Sequence, residues 1–141
     1  MSTSSTMPIS VVKRSGKREL VSFDQILERV QSQSSGLNVD PVSVAQTVVQ
    51  GIRDGITTSE LDKFTVETAA AMAVQHPDYS IMAARVAVSD LHKKTSPSIR
   101  CVFDHMDPQV KTFAEDNIDR IDRELKFERD LGYTIFGFKT L

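Results

Sequence analysis

Four cations, Lys13, Arg14, Lys17 and Arg18, fall within six residues, with only Glu19 as an acidic neighbour, in a 141-residue chain of net charge −2. A basic cluster inside an acidic protein can serve polyphosphate. Side-chain cations make charge-assisted hydrogen bonds to phosphate oxygens, and a helix starting nearby, at Phe23, adds the free N–H groups of its first turn. The same pattern also suits a solvated hairpin whose Lys and Arg blunt an exposed strand edge. Other chemistry is poorly provided for. The sequence has no G-x-x-x-x-G-K-[ST] loop, no G-x-G-x-x-G and no H-E-x-x-H. His76, His92 and His105 lack metal-ligand spacing and read as solvated or capping residues. Serine and histidine show no elbow or triad signature. The single cysteine, Cys101, allows no internal disulfide, multi-cysteine zinc site or redox relay, and is expected to be a partly buried thiol without chemistry. No catalytic and no metal-ligating residue is assigned, and the chain alone reads as non-catalytic.

The elements that must position the cationic cluster can be read in turn. Ile9–Arg14 and Glu19–Ser22 are β-prone runs separated by a Ser-Gly turn, a hairpin signal. Four helical segments follow. Ser22-Phe23-Asp24-Gln25 fits a capping box, after which Ile26, Leu27 and Val30 share one face up to Gly36. Asp40-Pro41 opens the second helix, with Ala45, Val48, Val49 and Ile52 on its apolar face and a stop near Gly55. Thr57-Thr58-Ser59-Glu60 caps the third, whose second half, Ala69–Val74, is apolar all round and expected to be buried. His76-Pro77 ends it. Asp78 is expected to cap the fourth, a nearly all-apolar helix closing on His92-Lys93-Lys94, cations that suit a helix C-terminus. Arg85, on that apolar helix, is expected to snorkel or to pair with an acid such as Glu67. Met72 and Met82 read as core filler. From Asp104 to Asp130 nine acids face five bases, read as one or two surface helices, and Gly132–Phe138 reads as a short strand or extended tail needing a partner to pack against.

The fold class expected is therefore α+β, mostly α: a four-helix bundle capped by a small β-hairpin or sheet, then a short helical segment and an extended C-terminal tail. With 40% hydrophobic and 26% charged residues, the chain can bury one core. Its charge gives no global basic field for nucleic acid or an anionic membrane. No apolar run approaches the roughly 20 residues that cross a bilayer. Met1–Pro8 is Ser/Thr-rich without a signal-peptide core, so a disordered lead-in and a cytoplasmic location are expected.

Val11-Val12-Lys13-Arg14-Ser15-Gly16-Lys17-Arg18-Glu19 and Phe23-Asp24-Gln25-Ile26 resemble the opening of the ATP-cone domain. The resemblance continues through Gly36-Leu37-Asn38, Gly55–Asp62, Glu67-Thr68-Ala69-Ala70, His76-Pro77-Asp78-Tyr79, Ala83–Ser89 and Leu91-His92-Lys93. It is similar to the cone at the N-terminus of the class I ribonucleotide reductase large subunit, of eukaryotic and viral type. Phe136–Leu141 looks like the stretch that enters the catalytic portion of that subunit. The resemblance implies a division into a lead-in (1–8), a nucleotide-binding regulatory domain (9–95) and a linker leading toward a catalytic body (96–141). It implies ATP or dATP as allosteric effector, accompanied by Mg²⁺. Lys13 and Arg14 would face the phosphates, with Lys93 approaching them from the fourth helix. Glu19, Leu20, Val21, Ser22, Phe23, Asp24 and Gln25 would wrap base and ribose, and Thr58 and Asp62 would close the site. Where the family usually has lysine this chain has Gln25, which removes a charge-assisted hydrogen bond worth roughly 1.5–3 kcal/mol in general. Implied partners are the catalytic body, the small radical-generating subunit and a nucleotide-dependent homo-oligomer. Reductase chemistry needs a radical-bearing cysteine and a reducing pair, which Cys101 alone cannot supply. A degenerate cone acting only in assembly, and a piece of a split reductase, are the alternatives.

Overall fold

A computed structural model describes residues 8–141, so most of the Ser/Thr-rich lead-in lies outside it. Strands β1 (Ile9–Val12) and β2 (Arg18–Val21) form the antiparallel hairpin, with Val11 opposite Glu19 and Val12 opposite Arg18. The turn closes through Lys13 N–H donating to Lys17 O (2.8 Å) and Gly16 N–H to Lys13 O (2.8 Å), and Gly16 takes a positive φ of 79° that suits glycine. A third strand, β3 (Ile56–Thr57), lies parallel to β1 on its other edge, giving the order β2-β1-β3. Two residues are too few to show alternation, so this strand is invisible to periodicity. Its place is fixed by neighbours: Gly55 N–H donates to Ser10 O (2.7 Å) and Ser10 N–H to Asp54 Oδ1 (2.7 Å).

Helices α1 (Phe23–Gln33), α2 (Pro41–Gly51), α3 (Thr58–Met72) and α4 (Asp78–Lys94) make the four-helix bundle. Ser22 and Gln25 form the expected capping box on α1, Asp40 caps α2, and Thr57 with Glu60 forms a second capping box on α3. Helix α2 stops at Gly51, a turn before the expected Gly55, because Ile52 turns extended and leads the chain toward β3. Ala69 of α3 is fully buried, but α3 ends before Val74, which is 94% exposed in the following turn. The expected burial therefore stops short of that residue.

Two side chains do other work than their positions suggested. Asp78 does not cap α4. Its Oδ2 accepts the Asn38 N–H (2.8 Å), and His76 Nδ1 accepts the Asp78 N–H (3.2 Å). Arg85 does not pair with Glu67: its Nη1 donates to Gln33 O (3.3 Å) and Ser35 O (2.8 Å), satisfying carbonyls left free at the end of α1.

One core joins sheet and bundle, from Val11 and Ile26 through Val44, Val48 and Leu61 to Met82 and Val86. It also takes in Ile135, which lies in a helix, α6 (Ile135–Thr140), rather than in the extended tail expected. Thr134 Oγ1 accepts the Gly137 N–H (3.3 Å), and Ile135 and Phe138 then point to the bundle one turn apart. Packing on α4 overrides the β-propensity of this aromatic stretch. Before it, α5 (Pro108–Glu124) is the acidic surface helix expected, with only Ala114 buried. Its Asp122 accepts from Ser98 Oγ (3.0 Å) and the Ile99 N–H (3.0 Å) of a 3₁₀ segment, Ile99–His105. A second 3₁₀ segment, Phe127–Gly132, meets α4 through His92, whose Nε2 is 2.8 Å from Asp130 Oδ2. Cys101 is exposed rather than partly buried, its sulfur accepting from Ser96 Oγ (2.9 Å). Among the described residues no helix is long and apolar enough to cross a membrane.

Candidate functional site

The hairpin lies over the ends of α1, α3 and α4, and the cationic cluster divides there. Lys13, Arg14 and Ser15 form one side of a cavity of about 340 Å³ whose other walls are Arg29 of α1, Thr58 and Asp62 of α3, and Lys93 of α4. A second cavity of about 210 Å³ shares Lys13, Arg29 and Thr58 with it. That second space is more apolar, bounded by Val11, Val21, Ile26 and Leu61, with Glu19 and Gln25 at its polar margin. The pair offers a cation-rich chamber beside a greasy slot, a shape suited to an anionic group attached to a flat apolar one.

Strand alternation decides which hairpin residues face the site. Glu19 and Val21 line the second cavity, whereas Leu20, 63% exposed, points to the other face. Of the residues singled out through the resemblance, Lys13, Arg14, Thr58, Asp62 and Lys93 meet in the first cavity, and Glu19, Val21 and Gln25 in the second. Leu20, Ser22, Phe23 and Asp24 line neither: Ser22 caps α1, Phe23 packs against the core and Asp24 is exposed in the first turn. Gln25 is committed locally, its Oε1 accepting the Ser22 N–H at 3.0 Å. Sequence reasoning missed Arg29. It stands one helical turn beyond Gln25, so the i, i+4 spacing from a proposed site residue was the signal available.

The cations are balanced by the chain's own acids. Lys13 pairs with Glu19 across the hairpin, and its hydrogen bond and charge hold the Glu19 carboxyl below the usual carboxylate range. Arg14 Nη2 donates to Asp90 Oδ1 (2.7 Å). Arg29 Nη2 lies 2.5 Å from Oδ1 of the buried Asp62, whose Oδ2 is 3.9 Å from Lys93 Nζ. That Arg29 nitrogen is buried and ion-paired with Asp62, but its approach is not aligned as a hydrogen bond. Burial, and next the charge of Arg29, push Lys93 below its ordinary value against the opposing pull of Asp62. A buried donor and a destabilised ammonium both mark a place where added negative charge would be welcome. Among the described residues no group of three or more His, Cys, Asp or Glu side chains is placed to hold a metal ion.

Comparison with known proteins gives this geometry its context. The chain is 45% identical to a ribonucleoside-diphosphate reductase large subunit of Caenorhabditis elegans, over 93% of this chain and 19% of that protein. It is 46% identical to the Arabidopsis thaliana large subunit, over 93% of this chain and 18% of the relative. Against the Variola virus large subunit the identity is 41%, over 93% and 19%. The chain thus spans about a fifth of the length of these curated relatives. The sequence pattern of the ATP cone domain matches residues 9–94, from the first strand to the last residue of α4, and with this match over more than half its length the chain belongs to the ATP-cone family.

Proposed function

We propose that the chain is a regulatory module that binds ATP or dATP in the joined cavities and so controls the activity of a ribonucleoside-diphosphate reductase. The observation that carries this reading is the convergence of Lys13, Arg14, Arg29 and Lys93 from hairpin, α1 and α4 on one cavity in a chain of net negative charge. The triphosphate occupies the cationic chamber, where Arg29 and Lys93 gain an anionic partner in addition to Asp62. The adenine ring takes the slot bounded by Val11, Val21, Ile26 and Leu61, with Glu19 and Gln25 at its polar margin. Mg²⁺ accompanies the nucleotide, coordinated by its phosphates. Residues 9–95 are the effector domain, and 96–141 lead toward a catalytic body of the kind carried by the longer relatives. The partners are that body and the small radical-generating subunit, in the cytoplasm. The effector shifts their assembly, including a homo-oligomer, only by its differential affinity for the two states.

The test is calorimetric titration with ATP and with dATP, each with Mg²⁺, with light scattering on the same samples. Saturable binding that is lost in Lys13→Ala supports the proposal. Binding by neither nucleotide at millimolar concentration overturns it. That negative result would favour the second reading, an assembly module with an idle site, for which the local commitment of the Gln25 amide speaks.

A further inference from the structure

Each cation of the site has an acidic partner, but the three carboxylates are not equivalent. Glu19 sits on the strand next to Lys13, so that pair is local to the hairpin. Asp62 is buried and shared between Arg29 and Lys93. Asp90 differs in both respects. It is on α4, 76 residues from Arg14, and its pair with Arg14 ties the hairpin turn to the last turns of that helix. It also has a second cation in place: Lys94 Nζ, one turn on, donates to Asp90 Oδ2 at 2.5 Å. Loss of Arg14 would therefore leave Asp90 paired.

We infer that Asp90 is a positioning residue that competes with nucleotide phosphate for Arg14 and thereby sets the affinity of the site. This rests on the proposed nucleotide-binding function. Before phosphate arrives, Asp90 holds the Arg14 guanidinium on the α4 side of the cavity. On binding, Arg14 exchanges a carboxylate for a phosphate oxygen, and Lys94 keeps Asp90 neutralised. The exchange is low in cost because no charge is left alone, and it is reversible because the carboxylate stays in reach. It also has an outlet. Asp90 and Lys94 line a cleft of about 350 Å³ between α3 and α4 to which Phe138 of α6 contributes, so the exchange changes the ion pairing at the seat of α6.

Asp90→Asn removes the competing charge while keeping the side-chain size. Partly exposed pairs of this kind contribute little, so ATP and inorganic tripolyphosphate are each expected to bind roughly two- to fivefold more tightly to the variant than to the parent protein. In an Arg14→Ala background the same change is expected to have no effect on either ligand, since there is no guanidinium to release. Unchanged or weaker binding by Asp90→Asn would overturn the inference. So would tighter binding that persists without Arg14, which would reveal only the general field of the carboxylate. Tripolyphosphate keeps the two proposals separable: if it binds and ATP does not, the nucleotide reading fails while the exchange is still judged. If neither binds, both fall. The Arg14 side-chain N–H resonance in the unaltered protein gives a check independent of variant folding. It should shift on titration with either ligand, and a resonance that stays still while ligand binds would refute the exchange.

Discussion

The buried carboxylate of Asp62 is the most exacting electrostatic feature of the site, and Arg29→Met tests how it is held. Asp62 is 3% exposed, and its near partner is Arg29 at 2.5 Å. Removing one partner of a fully buried pair costs about 3–5 kcal/mol, because the remaining charge is left uncompensated. Two features reduce that figure here. Lys93 Nζ stays 3.9 Å from the other carboxylate oxygen, and the Arg29 side chain is 36% exposed, so part of its attraction is already screened. The expected loss is about 1–3 kcal/mol, seen in urea titration as a lower midpoint with an unchanged slope. At roughly 3–5 °C per kcal/mol for a domain of this size, thermal midpoints should fall by about 3–15 °C. Adding Asp62→Asn to Arg29→Met should restore more than half of the loss, since the orphaned charge is then gone. A double-mutant cycle over Arg29 and Asp62 measures the coupling directly. A loss under about 0.5 kcal/mol for Arg29→Met, or no recovery in the double variant, would refute the idea that Arg29 is what keeps Asp62 buried and charged.

Gly51→Ala should destabilise by about 1–3 kcal/mol, because a Cβ there collides with the ring of Phe64. Combining it with Phe64→Leu should recover part of that loss in the same urea titration. The Thr57–Glu60 capping box holds the Glu60 carboxyl below its ordinary value, first through the Thr57 backbone N–H and then through its hydroxyl. A depressed folded-state value means stability that is present above the unfolded carboxylate value and lost as pH falls through the folded one. Glu60→Gln should therefore show a flatter acid limb below about pH 4.5. At neutral pH Lys93 contributes with the opposite sign. Its lowered folded value means that charge is a penalty at neutral pH, relieved as pH rises from that value to the ordinary lysine one. The stability difference between Lys93→Met and the parent should narrow over that alkaline range, and ATP affinity of the parent should weaken over it; a flat profile in both would remove Lys93 from the site's electrostatics.

Helix starts were the most legible part of the fold, because caps are local: Ser22, Asp40 and Thr57 occupy their N-cap positions, and Gln25 and Glu60 complete their boxes. The largest failures involve contacts distant in sequence. Strand β3 is two residues long and is held by Ser10 and Asp54. Asp78 was available as a cap but is drawn to the backbone of Asn38, 40 residues away. Arg85 satisfies carbonyls at the end of α1, 50 and 52 positions before it, rather than an acid on α3. The C-terminal stretch has the β-branched and aromatic composition of a strand, yet burial of Ile135 against α4 makes it a helix. Of the residues named from the sequence, Lys13, Arg14, Glu19 and Val21 of the hairpin and Gln25, Thr58, Asp62 and Lys93 of the helices line the two cavities, while Leu20 does not. Arg29 and Asp90 come from helices that only the folded bundle brings to the hairpin, and a mid-helix arginine gives no local sign of its partner.

The most direct test of the central claim is to map ATP onto the backbone amides of the ¹⁵N-labelled chain by NMR, in the presence of Mg²⁺. Saturable shifts are expected at Lys13–Gly16, at Val21–Arg29, around Thr58–Asp62 and at Lys93, with α5 unmoved. Shifts centred on α5 or on the C-terminal helix, or none at millimolar ATP, would contradict the assignment of the nucleotide to the cavities beneath the hairpin.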